Sequence, residues 1–170
     1  MTVLKLCTYP DKILSEKCEK VATVDDNVRK LLDDMLETMY VDKGVGLAAP
    51  QIGIKKRIIV IDDKVDEDGN PGPHPMYLVN PEIVEKSDET FLFKEGCLSV
   101  PGQSAEVERH KRVKVRYLDY NGQEQELEAE DLLAVILQHE TDHLDGVLYI
   151  DHLSRLKRNM IIKKLKKQAD

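Results

Sequence analysis

The fold is decided by the stretch EDLLAVILQHETDHLDG, residues 130 to 146. Its six residues from 132 to 137 are all apolar, so a helix formed here would be apolar on every side and could not lie on the surface. Gly146 would stop such a helix. We therefore predict a central helix surrounded by β-sheet.

The segments on either side predict strands and a first helix. Apolar residues at steps of three and four between positions 28 and 39 predict an amphipathic helix, which Asp25 or Asp26 can cap and Gly44, in the left-handed conformation, can end. The pair Asn-Gly at 121–122 predicts a tight antiparallel hairpin. Further strands are predicted at 57–61, 76–80, 82–85, 90–94, 104–109 and 147–150.

The end of the chain predicts a basic amphipathic helix over 153–168. Between 155 and 167 there are seven Lys or Arg and no acidic residue. One interpretation is a solvated helix that packs on the core through Leu156 and Met160, and another is a surface for a partner. The predicted fold class is α+β, with mainly antiparallel sheets packed around the central helix, an N-terminal amphipathic helix and a C-terminal helix, all in one domain spanning 1–170.

The composition of the chain argues against several classes of protein. The net charge is 25 − 32 = −7, which argues against DNA binding over the whole surface, and no apolar run reaches the 18 residues of a membrane span. The acidic, Gly- and Pro-rich stretch 62–75 predicts a surface loop. Three cysteines without a C-x-x-C pair argue against a disulfide framework and fit a reducing compartment. We expect a cytoplasmic protein.

The stretch QHETDHLDG, residues 138 to 146, carries the first sign of chemistry. Four positions apart on a helix, His139 and His143 lie one turn above the other and can bind one divalent ion. Glu140 lies about 100 degrees further round, beside such an ion, where a general base would stand. The alternative is a buried helix whose polar end carries two partly exposed histidines.

A catalytic metal site needs a third ligand and one open position. The pattern H-E-x-x-H-x-x-G-x-x-H fails at its last ligand, which is Tyr149 here. The remaining candidates are Cys97, His74, His110, His152 and several carboxylates. Cys97 stands out in EGCLSVPG, because Gly96 permits close backbone approach and Pro101 stiffens the chain after the cysteine. Otherwise Cys97 is a small buried apolar residue, as most free cysteines are.

The stretch GVGLAAPQIG, residues 44 to 53, is the third unusual segment. Its small residues permit close approach of the backbone to a ligand, and the amide of Gln51 could donate a hydrogen bond to a developing oxyanion. The alternative is a turn after a helix, with a solvated Gln51.

The motifs GVGLAAPQ, EGCLSVP and QHETDHLDG, in this order, closely resemble the three signature motifs of the peptide deformylase family. The resemblance covers nearly the whole chain and lacks the large insertion of the family's longer branch. It implies that Cys97, His139 and His143 bind the metal. It also implies that Glu140 is the general acid/base, and that Gln51 and the backbone N–H of Leu98 form the oxyanion hole.

The implied reaction is removal of the N-formyl group from formyl-methionyl nascent peptides, with release of formate after attack by a metal-bound water. The family's cofactor is one divalent ion, Fe²⁺ in cells, with Zn²⁺, Ni²⁺ or Co²⁺ able to substitute. The protein would be a monomer, and its C-terminal helix 153–168 would dock on the ribosome. Glu95 and Arg109 would form an ion pair that braces the cysteine loop, and the implied substrate site comprises Val45, Gly46, Phe93, Glu95, Gly96, Leu132, Val135, Ile136 and Arg109.

One position departs from the family, because Ser104 stands where related enzymes often carry a basic residue that contacts the peptide backbone. Binding of residues beyond the methionine is therefore expected to differ. Two alternatives remain: an H-E-x-x-H metallopeptidase with another third ligand, and a non-enzymatic module with a structural metal.

Overall fold

A computed structural model of the chain describes residues 2–64, 67–68 and 73–169. The predicted surface loop 62–75 is therefore only partly covered, since its residues 65–66 and 69–72 lie outside the described residues. No helix within the described ranges is long and apolar enough to cross a membrane.

Three α-helices and seven strands make up the described fold. The helices are α1 (Asp26–Val41), α2 (Asp131–Leu144) and α3 (Arg155–Ala169). Short 3₁₀ turns occupy Lys12–Ser15, Ala49–Ile52 and Tyr149–His152. The strands are β1 (Gly46–Ala48), β2 (Ile58–Ile61), β3 (Met76–Lys86), β4 (Thr90–Cys97), β5 (Val100–His110), β6 (Arg112–Leu118) and β7 (Glu124–Glu130).

The strands of the described ranges form two separate sheets. One has five strands in the order β1-β2-β3-β6-β7, and the other is the β4–β5 hairpin. Neighbouring strands in both sheets are antiparallel. The α+β class predicted from the sequence is therefore confirmed.

Helix α2 is buried along most of its length. Its residues from Ala134 to Thr141 are all buried, and it contacts strands of both sheets. The core around it is aliphatic and includes Ile59, Ile61 and Leu78 of the larger sheet. Because α2 lies between the two sheets, it can present side chains to both of them at once.

The first helix ends differently from the prediction. Asp25 caps its start by accepting a hydrogen bond from the Val28 N–H at 2.9 Å. At its end the left-handed residue is Lys43, with φ of 56°, and not Gly44. The N–H of Lys43 bonds to the Tyr40 carbonyl and that of Gly44 to the Met39 carbonyl, which is a Schellman motif shifted by one residue.

Three further predictions are wrong in detail. The expected strand at 147–150 runs into the 3₁₀ turn Tyr149–His152, and the N–H of Leu148, just before the turn, donates to the Asp151 side chain at 2.9 Å rather than to a neighbouring strand. Helix α3 packs on the core through Ile161 and Leu165, whereas Leu156 and Met160 are 72% and 52% exposed. The predicted strands 76–80 and 82–85 form one strand, β3, with a register shift between Val79 and Glu82.

Candidate functional site

Three potential metal ligands from two elements meet beneath the β4–β5 hairpin. Cys97 ends β4, and His139 and His143 lie one turn apart on α2. Their ligand atoms all lie within 4.8 Å of one another, and Cys97 Sγ is 3.4 Å from His143 Nε2. One thiol and two imidazoles at this spacing fit the donor set of a three-ligand divalent metal site.

Hydrogen bonds and burial set the state of the two imidazoles. His139 Nδ1 is 2.8 Å from Glu95 Oε1, which leaves its Nε2 for the metal cluster. Although burial lowers the pKa of His139, hydrogen bonds with Cys97 and Glu95 outweigh it and raise that pKa well above the usual value. Burial, followed by the charge of His139, holds the pKa of His143 well below its usual range. Metal binding requires both imidazoles in their neutral form, so protonation of His139 would compete with the metal.

A buried network of ion pairs holds Glu95, the hydrogen-bond partner of His139. Arg109 binds Glu95 with two hydrogen bonds, of 2.5 Å from Nε and 2.8 Å from Nη2. Its Nη1 donates to Asp142 at 2.8 Å, and Asp142 is also 2.8 Å from His152 Nε2. The expected Glu95–Arg109 pair is present. Arg109 was also predicted for the substrate site, but it does not line the cavity described below. The sequence interpretation missed Asp142. His152, one of the candidate ligands in the sequence, is an exposed residue outside the three-ligand cluster.

Glu140 lies beside the cluster and is shielded from solvent. It is buried, and its Oε1 has no hydrogen-bond partner in the described part of the chain. Burial raises the pKa of Glu140 to about 7. A side-chain β-carbon built on Gly46 would lie 2.7 Å from Glu140 Oε2, so only glycine fits opposite this carboxylate.

Gln51 reaches the cluster from the turn after β1. It is 1% exposed; its Oε1 accepts from the Ala48 N–H at 2.9 Å, and its Nε2 donates to Ser99 Oγ at 3.1 Å. The same Nε2 lies 3.6 Å from Cys97 Sγ. Gln51 is thus a buried, oriented amide and not the solvated side chain of the alternative interpretation. Ser99 was missed, although it directly follows the predicted residues Cys97 and Leu98.

A cavity of about 410 Å³ opens onto these groups. Eight residues predicted for the substrate site line it, as do Gln51, Leu98, Cys97, His139 and Glu140; the eight are Val45, Gly46, Phe93, Glu95, Gly96, Leu132, Val135 and Ile136. Ser104 lies on the exposed side of β5. Of the other histidines and cysteines, His110 bonds to the Ser87 carbonyl and Cys18 is buried in the core.

The α+β fold, the H-E-x-x-H helix and its thiol partner together define a metallohydrolase. The sequence model of one family, described as Polypeptide deformylase, matches residues 3–159. The chain belongs to the peptide deformylase family, whose members remove the N-formyl group from nascent polypeptides.

Similar proteins support this membership over the full length. The chain is 52% identical to the peptide deformylase of Rickettsia akari, with 98% of this chain and 97% of that protein covered. It is 54% identical to the peptide deformylase of Pelagibacter ubique, covering 98% and 95%. Among solved structures, the Ehrlichia chaffeensis peptide deformylase in complex with actinonin matches with a TM-score of 0.91 at 47% identity, covering 99% and 98%. The Met-Ala-Ser-bound class I type b enzyme of Acinetobacter baumannii matches with a TM-score of 0.84 at 37% identity, covering 89% and 99%.

Proposed function

We propose that this chain hydrolyses the formyl amide of an N-terminal formyl-methionine and releases formate and a free α-amine. The observation that carries the proposal is the meeting of Cys97, His139 and His143 beside a cavity that Cys97, His139 and the buried Glu140 line. A structural metal site would be closed by four protein ligands, whereas three ligand residues beside a cavity leave a position for a reacting group.

Cys97, His139 and His143 would hold the metal. When bound, a divalent ion would act as a Lewis acid and lower the pKa of a water ligand towards neutrality. We propose Fe²⁺ in cells, with Zn²⁺, Ni²⁺ or Co²⁺ able to replace it, because a soft thiolate with two imidazoles suits several such ions. Metal analysis of protein purified anaerobically tests this choice, and an ion other than iron in the native protein would contradict it.

Glu140 would move the proton. A carboxylate whose pKa is about 7 can take a proton from the attacking water and return it to the leaving nitrogen near neutral pH. The partnerless Oε1 is available for this exchange.

Gln51 and the Leu98 N–H would stabilise the oxyanion. Both residues line the cavity, and among the described residues the Leu98 N–H is paired with no acceptor. Donors that are already oriented toward developing charge contribute about 2.7 to 4 kcal/mol each to transition-state stabilisation.

The cavity suits a methionine side chain with an extended backbone. Its apolar wall, made by Val45, Phe93, Leu132, Val135 and Ile136, can receive an unbranched apolar chain. β1 is an edge strand of the larger sheet, β4 belongs to the hairpin, and residues of both line the same cavity. Free backbone groups on a strand edge can pair with an extended peptide.

Two variants test the reaction and its residues. We expect wild-type enzyme to release formate from formyl-Met-Ala-Ser and to leave casein intact. Glu140→Gln should lose at least about 100-fold in kcat while retaining its metal, because it removes only the proton carrier. Cys97→Ala should lose metal and turnover together. Full deformylation by Cys97→Ala, or cleavage of casein by the wild type, would favour the metallopeptidase alternative.

We also propose that the chain acts as a single-domain monomer in the cytosol, and that α3 docks on ribosomal RNA. The support for docking is that α3 leaves most of its cations exposed, including Lys163, Lys164 and Lys167. Replacing these three lysines by glutamate should abolish a salt-sensitive association with ribosomes and spare deformylation of free peptides. Lys20→Glu, on the segment before α1, is the control. Normal ribosome binding by the triple variant would rule out this docking surface.

A further inference from the structure

We propose that Ser99 is a positioning residue for the reaction. Its hydroxyl donates to the Cys7 carbonyl and therefore holds the side-chain amide of Gln51 in its donating orientation. The inference rests on the proposed function, in which Gln51 donates to the oxyanion. Ser99 and Gln51 are 0% and 1% exposed, so water does not compete for their hydrogen bonds.

The single proton of the Ser99 hydroxyl determines which hydrogen bonds this residue can make. Ser99 Oγ is 2.7 Å from the Cys7 carbonyl oxygen, which can only accept. The hydroxyl proton is therefore committed to Cys7. Toward Gln51 Nε2, 3.1 Å away, the same oxygen can only accept. Because the Ser99 oxygen can only accept here, the atom opposite it must be a donor, and Gln51 Nε2 is that donor.

The other end of the Gln51 amide is fixed in the same way. Gln51 Oε1 is 2.9 Å from the Ala48 backbone nitrogen, which can only donate. If the amide turned over, two donors would meet at Ala48 and two acceptors at Ser99, and buried groups left in that state are costly. One N–H of Nε2 is thereby used by Ser99. The other faces Cys97 Sγ at 3.6 Å, toward the metal cluster, where it can meet an oxyanion.

Cys7 is itself held in place by the segment before α1. Its N–H donates to the Gln51 carbonyl at 2.6 Å, and the Tyr9 N–H donates to the Ser99 carbonyl at 2.8 Å. Further up the chain the Leu4 N–H donates to Thr38 Oγ1 at 2.8 Å. The N-terminal segment thus bridges α1 and the donor that we assign to the oxyanion.

Ser99→Ala tests this assignment through kinetics. We expect kcat to fall about 10-fold, the effect of one lost hydrogen bond, while KM stays within about 2-fold, because Ser99 acts on the transition state through Gln51. In a Gln51→Ala background the same substitution should cost less than about 2-fold. The control is Ser87→Ala, which removes a hydroxyl that bonds to the Glu89 carbonyl and the Arg112 N–H but to neither Gln51 nor the N-terminal segment, and which should lower stability and leave kcat unchanged.

Two further measurements separate positioning from folding. Ser99→Thr keeps the hydroxyl, so it should retain more of kcat than Ser99→Ala even if its added methyl lowers the melting temperature further. In ¹⁵N-labelled protein the two Gln51 side-chain amide protons should be distinct in the wild type and should exchange faster in Ser99→Ala.

The outcomes are distinguishable. No formate release by the wild type would defeat the proposed function, while the Gln51 resonances would still report on Ser99. Equal losses in the two backgrounds, a kcat that follows melting temperature across the variants, or unchanged Gln51 resonances would overturn the role of Ser99.

Discussion

At the scale of single residues, the contact between Gly46 and Glu140 determines where the Glu140 carboxylate can lie. The β-carbon that any other residue would carry meets Glu140 Oε2 at 2.7 Å and Cγ at 3.0 Å. Such approaches are below van der Waals contact, so the carboxylate would have to move.

Gly46→Ala should therefore lower kcat by about 10- to 100-fold, a substantial part of what a positioned general base contributes. Metal content should not change, since the three atoms nearest to this β-carbon all belong to Glu140 and not to a metal ligand. The measurement is formate release together with metal analysis. Gly122→Ala, in the β6–β7 turn, is a control that should reduce stability through its positive φ and leave turnover intact. Wild-type kcat in Gly46→Ala would contradict the steric argument.

The sequence made some of these residues predictable and others not. His139 and His143 follow from helical spacing, and Cys97 from its context between Gly96 and Pro101 together with the family resemblance. Asp142, His152 and Ser99 act through hydrogen bonds to residues far away in sequence, as between Ser99 and Cys7, 92 positions apart. Spacing within one element cannot reveal a bond between two elements.

At the scale of the elements, the end of α1 stores backbone strain at Lys43. Its φ of 56° costs a residue with a β-carbon about 1 to 2 kcal/mol that glycine does not incur. Lys43→Gly should thus raise the free energy of unfolding by about 0.5 to 1 kcal/mol, after subtracting the greater flexibility of glycine in the unfolded chain. Lys43→Ala keeps the strained φ and should give no gain. Chemical denaturation of both variants checks this, and equal stabilities would refute it.

The N-terminal segment is tied to α1 by a carboxylate that should make stability depend on pH. Asp34 accepts from Lys30 Nζ and from the Thr2 N–H, each at 2.8 Å. The hydrogen bond to Lys30 is the largest cause that lowers the pKa of Asp34 below its usual value. A lowered pKa means that the folded chain prefers the ionised form, so this stabilisation is complete above about pH 4 and is lost as the pH falls through the folded pKa.

We expect Asp34→Asn to cost about 1 kcal/mol at pH 7 and progressively less below about pH 4. Urea unfolding of wild type and variant across this range measures the difference. Lys30→Gln should reproduce part of the loss at pH 7. A difference between wild type and Asp34→Asn that did not change with pH would exclude ionisation as its cause.

The wrong element predictions have physical reasons. Residues 147–150 are consecutively apolar, and such a run carries no periodicity that separates a strand from a buried turn. In α3 the pairs Leu156/Met160 and Ile161/Leu165 both have the spacing of one helical turn, so the pattern alone could not decide which of them faces the core. At Lys43 the Schellman hydrogen bonds overrode the preference of the left-handed region for glycine.

At the scale of the whole molecule, the candidate site is built from two separate parts of the fold, the β4–β5 hairpin and helix α2. Cys97 comes from the hairpin and both histidines from α2, so a bound metal would link the hairpin to the core. Sequence patterns predicted the strands but not the pairing of β3 with β6, because an apolar pattern states which face is buried and not which strand is the neighbour.

Removal of the metal should therefore destabilise the entire fold. A ligand present at 100 times its dissociation constant adds about 2.7 kcal/mol to the stability of the native state. Treatment with a chelator should lower the melting temperature of the wild type, as differential scanning calorimetry would show. Cys97→Ala, which lacks one ligand, should barely respond. Identical melting with and without chelator in the wild type would show that the metal contributes nothing to stability.

The separation of the proposed ligands along the chain also sets how much time passes during synthesis between the first ligand and the last. Cys97 and His143 are 46 positions apart. At about 5 to 20 residues per second, a ribosome needs roughly 2 to 9 s to go from the first ligand to the last. For that period the Cys97 thiol exists without the helix that later covers it. Each newly made molecule therefore passes through a stage in which the thiol that we propose as a metal ligand is not yet covered by α2.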